Sequence, residues 1–150
     1  MIALNVLIAL HVLGVVWWIG GVAIVTGVLL PMLHRLPAEE RIERIKQIEY
    51  RFAWQARIAV LVVGITGFWM LFLTGGIGRL GFMHGWWLDL MILVWLLFAL
   101  MLFVVEPLRI PERIGLLRHR SAFLFLHVIM LTLALAAIAC GVIGARGGFG

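Results

Sequence analysis

From residue 1 to residue 33 the chain contains no Asp, Glu, Lys or Arg. A helix rising 1.5 Å per residue crosses a hydrocarbon core with about 20 apolar residues, so this run alone is long enough to span a membrane. Residues 58–78 and 121–145 are equally free of charge. A fourth stretch, 86–105, carries only Asp89, one turn inside its start. No basic residue precedes Arg35, and the first apolar run is about twice as long as that of a cleaved signal peptide, so it reads as a retained helix.

Composition agrees. The 150 residues are 65% hydrophobic and 13% charged, against roughly 45–50% and 25% in soluble domains. A soluble core of this size cannot hide that surplus. The expected fold is all-α: an integral membrane four-helix bundle in a single domain over 1–150, with helices at about 3–33, 55–76, 86–105 and 121–145.

The net charge of +5 is informative through its distribution. Arg35, Arg41, Arg44, Lys46, Arg51 and Arg57 flank the first loop, and Arg109, Arg113, Arg118 and Arg120 the third, which is ten of the 12 basic residues. Only Arg79 and Arg146 fall on the other side. By the positive-inside rule the two basic loops face the cytoplasm and both termini lie on the outer side of the membrane. The charge is therefore an orientation signal, and no nucleic-acid partner is expected. Tyr50 and Trp54 at the inner interface, and Trp86 and Trp87 at the outer one, fit aromatic belts. After Pro37, Ile42, Ile45, Ile48 and Phe52 recur at helical spacing. This predicts an amphipathic helical extension before helix two, at or projecting from the inner surface.

Polar groups inside a membrane are costly and mark candidate sites. His11 in helix one belongs to the outer half and His127 in helix four to the inner half, with roughly 18 Å of depth between them. One metal centre cannot take both, so they mark two sites, or one site and one structural histidine. At the outer site the candidate ligands are His11 with His84, Met83 or Met91; imidazole and thioether both suit haem iron. Gly14, Gly20 and Gly21 allow close approach of a flat macrocycle or a neighbouring helix, and Trp17 and Trp18 offer stacking surfaces. At the inner site stand His34, His119 and His127, with Met32 and Met130 nearby. Arg57 is placed to pair with Glu106 or to grip a propionate or lipid headgroup, and Asp89 to pair with Arg79 or with a cofactor-bound partner. Cys140, the single cysteine, excludes an internal disulfide and a multi-cysteine zinc site. No catalytic triad, paired acid/base carboxylates or phosphate loop occurs in the sequence.

Several of these residues carry a family resemblance. Leu10-His11, then Trp18-Ile19-Gly20-Gly21 and Pro31, resemble the first helix of the copper-resistance protein D group of small four-helix membrane proteins. The same chain is similar to the haem-binding protoporphyrinogen oxidases in its His11–Trp18 spacing, in Glu49-Tyr50-Arg51-Phe52 followed by Gly67, and in Trp87-Leu88. Those oxidases carry a lysine where this chain has Met91. The resemblance implies a haem b-binding membrane redox protein with His11 as one axial ligand, Met91 or His84 as the other, and Trp18, Arg57 and His127 as further cofactor contacts. With methionine replacing lysine it points to electron transfer more than to porphyrinogen oxidation. The implied partners are the lipid bilayer, an electron donor or acceptor protein or a quinone, and a second copy in a homodimer. Copper handling, with Met83-His84 and Met32/His34 as soft entry and exit sites, is the alternative. A non-catalytic subunit of a membrane complex is the third reading.

Overall fold

The computed structural model describes residues 2–33, 35–81, 85–108, 110–113 and 120–148. Four long helices account for most of them: α1 (Ile2–Leu33), α2 (Ala38–Leu73), α3 (Trp86–Val105) and α4 (Arg120–Ala145). All four are long and apolar enough to cross a membrane, as in a multi-pass membrane protein. Only 17–33% of their most apolar windows is buried by the protein itself. The remaining Leu, Ile, Val and Phe surface is left uncovered by the chain itself and suits an apolar solvent.

The basic segment and the second span form one continuous helix from Ala38. The amphipathic extension therefore exists, and it packs back on the bundle rather than projecting from it. Ile45 is buried in a cluster with Val25 and Leu30 of α1 and Phe123 of α4. Pro37 stands just before the first helical residue and its carbonyl accepts from the Arg41 N–H at 2.9 Å. The second span ends at Leu73, slightly earlier than expected. There the Thr74 hydroxyl donates to the Met70 carbonyl, Gly75 adopts φ 67°, and a short 3₁₀ turn runs Gly76–Arg79. That positive φ suits glycine. The third loop carries one helical turn, Ile110–Arg113.

Without a hydrophobic drive between helices in lipid, shape decides their contacts. α1 and α2 make the most extensive pair, and α3 and α4 the next. Large side chains seat on glycines. A Cβ on Gly21 would lie 2.3 Å from the Phe52 ring, one on Gly64 2.4 Å from Trp95, and one on Gly141 2.5 Å from the Met91 sulfur. Trp95 also donates its Nε1–H to the Val60 carbonyl at 2.9 Å, joining α3 to α2. The central cluster combines these with Trp18, Ala56, Ala59, Phe98, Met130 and Ala134.

Two helices loosen into π turns, α1 at Val25–Leu29 and α3 at Met101–Val105. Each lies just before a proline, Pro31 and Pro107. Proline has no N–H and its ring collides with the carbonyl four residues back, so an α-helical register cannot run through it unchanged. One extra residue in the preceding turn relieves the collision.

Candidate functional site

The π turn of α3 sets the local chemistry. The Glu106 N–H donates to the Met101 carbonyl at 2.9 Å, five residues back. The Leu102 carbonyl then lacks a helical donor, because Glu106 is engaged and Pro107 has no N–H. Arg57 of α2 supplies one, its Nε–H reaching Leu102 at 3.1 Å. The same guanidinium pairs with the Glu106 carboxylate, both side chains being largely but not fully buried. The pairing of Arg57 with Glu106 expected from sequence is present. A propionate would have to compete for a cation already engaged.

Between the two π turns lies a cavity of about 270 Å³. All four helices line it: Trp18, Val22 and Val25 from α1; Phe52, Ala53 and Ala56 from α2; Phe98, Met101 and Leu102 from α3; Phe123, His127 and Met130 from α4. Lys46, Glu49, Tyr50 and Glu106 line it at the end carrying the basic loops.

His127 is fixed within its own helix. Its Nδ1 lies 3.0 Å from the Phe123 carbonyl, and its ring packs on the Phe123 ring with centroids 4.5 Å apart. A carbonyl only accepts, so Nδ1 carries the hydrogen and Nε2 is left as a lone-pair acceptor. Trp18, only 4% exposed, makes an edge-on contact with Phe98 at 4.7 Å. Its Nε1–H is buried and has no partner among the described residues. An unmet buried donor costs about 1–3 kcal/mol.

His11 has the opposite surroundings. Its Nδ1 lies 3.1 Å from the Val63 carbonyl and 3.0 Å from the Thr66 hydroxyl, both on α2. Thr66 spends its own hydrogen on the Val62 carbonyl at 2.6 Å, so its oxygen accepts from His11. The ring rests on bare backbone, since a Cβ on Gly67 would stand 3.1 Å from His11 Cε1. Gly14 meets Val63 as closely, whereas Gly20 faces open space. The glycines expected to admit a macrocycle or a helix thus admit a helix at Gly14 and Gly21.

The other predicted site residues scatter. The Met91 sulfur is turned to Gly141 of α4, while His11 makes its hydrogen bonds to α2. Trp18 lines the cavity near the basic loops rather than standing beside His11. Asp89, expected to meet Arg79, instead accepts the Gly81 N–H on both carboxylate oxygens, at 3.2 and 3.1 Å. His84, Met83, His34, His119, Arg109 and Arg118 lie outside the described residues. Met32 is exposed. No group of three His, Cys, Asp or Glu able to hold a metal occurs among the described residues.

Sequence reasoning singles out His127, Met130 and Trp18 but not the cavity that gathers them, nor that Arg57 is bonded to Leu102 and Glu106 of its lining. Pro31 and Pro107 are the available signal, since each marks a turn where α-helical packing must give way. No protein-family model, curated protein or solved structure matches the chain.

Proposed function

We propose that the chain is a haem b-binding redox protein of the bacterial cytoplasmic membrane, with both termini outside and His11 as an axial ligand. The observation that carries this reading is the fixed tautomer of His11. An imidazole whose Nδ1–H is held by a carbonyl and a hydroxyl offers Nε2 to a metal in one orientation, which is how ligating histidines are held. The residues behind the family resemblance also meet across helices, His11 on Gly67 and Phe52 on Gly21. The asymmetric loop charge supports the orientation.

Haem supplies one-electron chemistry when bound, and His11 is the residue that suits its iron. Met91 would have to leave Gly141 to serve as a second ligand. The cavity beside His127 suits the macrocycle less well. Its 270 Å³ lies below the roughly 300–1,000 Å³ of pockets for drug-sized ligands.

The test is an optical spectrum of detergent-purified protein, oxidised and reduced, with pyridine haemochrome quantification. A sharp Soret band that disappears in His11→Ala is expected. A colourless protein from haem-supplied cells, or a band that survives His11→Ala and vanishes in His127→Phe, overturns the assignment.

A further inference from the structure

We infer that the cavity between the π turns is a water-filled inlet that carries protons from the side of the basic loops to His127. This goes beyond the haem reading and does not depend on it. The ionisable side chains select what fills the inlet. Lys46, Glu49 and Tyr50 of α2 and Glu106 at the end of α3 line it at the basic-loop end. Ionisable groups in a membrane protein stand against water or a partner, and a cavity holds water where it is both polar and roomy. At about 30 Å³ per molecule, 270 Å³ has room for several waters.

Away from that end the wall is apolar, and His127 is the one described residue there able to take up a proton. Its Nδ1–H is committed to the Phe123 carbonyl, so an incoming proton goes to the Nε2 lone pair. The ring then becomes a cation that still donates from Nδ1 to Phe123. No bond within the protein breaks: the proton comes from cavity water, which regains one from bulk solvent. Four charges share the cavity with the ring. α2 brings Lys46 and Glu49, beside the neutral Tyr50, and α3 brings Glu106 with Arg57 paired to it. The residues of α1 in the wall, Trp18, Val22 and Val25, do not titrate. Glu49 and Glu106 favour the charge that protonation adds, and Lys46 and Arg57 oppose it. Titratable groups lining a water-filled cavity within a membrane bundle are the parts from which proton relays are built.

Full-length, haem-free protein carrying Cys140→Ser is studied in membrane vesicles of a single orientation. Ala53→Cys puts a thiol in the cavity wall and Ala59→Cys puts one in the packed core, both positions being buried. Methanethiosulfonate ethyltrimethylammonium, which does not cross membranes, is added to one side at a time. Ala53→Cys is expected to react from the side that labels the exposed Glu43→Cys. It should react about tenfold or more faster than Ala59→Cys, because the reactive thiolate forms where water reaches it. Nitrogen NMR of histidine-labelled protein without the added cysteines follows the ring as pH is lowered over roughly pH 8 to 5. His127 Nδ1 is expected to stay protonated throughout while Nε2 gains its proton, in a signal identified by its loss in His127→Phe. Ala53→Trp, which fills the inlet, is expected to leave Nε2 unprotonated over the same range. Circular dichroism confirms that each variant folds, and the wild-type NMR stands as a test without any variant. Equal labelling of Ala53→Cys and Ala59→Cys, labelling of Ala53→Cys from the other side, a wild-type Nε2 that never gains a proton, or one that still does so in Ala53→Trp overturns the inference. Because the protein is haem-free and Glu43→Cys marks the loop side, failure of the haem assignment or of the orientation leaves these outcomes unaffected.

Discussion

Around His11 the helices touch: the imidazole lies on the backbone of Gly67 and ties α1 to α2 through Val63 and Thr66. Around His127 they part: the imidazole is tied to its own helix at Phe123, and a cavity of about 270 Å³ lies beside it. Both rings are held through Nδ1, so the hydrogen bond alone does not set them apart. What differs is backbone regularity. Near His11 all helices keep α-helical register, and glycines let them approach. Near the cavity α1 and α3 each gain a π turn ahead of a proline. An intramembrane histidine is thus read by the packing it sits in as much as by its own bonds.

The largest test of this contrast is Arg57→Ala. It leaves Glu106 without its cation and the Leu102 carbonyl without a donor, both at the edge of the cavity. A loss of about 2–4 kcal/mol is expected, read as a lower midpoint for thermal unfolding in detergent. A change below about 0.5 kcal/mol would mean that the carbonyl and carboxylate find other partners and that α3 is not anchored there.

A paired substitution on α2 compares the two regions directly. Gly67→Val pushes two methyl groups toward His11, which is held at both of its acceptors, and should cost about 1–3 kcal/mol. Ala53→Val adds only the two methyl groups, without the extra Cβ of Gly67→Val, at the cavity wall and should change stability by less than about 1 kcal/mol. Equal costs at the two positions would show that the cavity wall is as tightly packed as the His11 contact.

The smallest effect is expected from Pro107→Ala. The new N–H can satisfy Leu102 from within α3, releasing Arg57 from that task, so stability should shift by about 1 kcal/mol or less. Hydrogen exchange provides the clearer readout: a protected amide at position 107 and slower exchange across 102–108. An amide there that exchanges at the solvent rate would place the cause of the π turn elsewhere than in the proline.

Much of the frame is legible in the amino-acid order. Charge-free runs locate the spans, the isoleucine spacing after Pro37 locates the extension of α2, and Arg57 and Glu106 match as counter-charges. The misses have physical causes. Charge pairs Asp89 with Arg79, yet a carboxylate at the first turn of a helix accepts equally well from a backbone N–H, and Gly81 supplies it. Depth alone aims Met91 at His11, but depth does not fix rotation about the helix axis, and the notch at Gly141 turns the sulfur toward α4.

Amino-acid order is enough to make four membrane-length helices, because hydrocarbon thickness fixes the number of apolar residues each must contain. It determined the asymmetry of the loops for the same kind of reason, since charge is excluded from the spans. Which face of each helix points inward is settled by packing. These spans are apolar on every side, so burial has no periodicity to read. Rotation is set by where large side chains meet glycines and where prolines force extra residues into a turn. That placed His11 in a close helix contact and His127 beside a cavity.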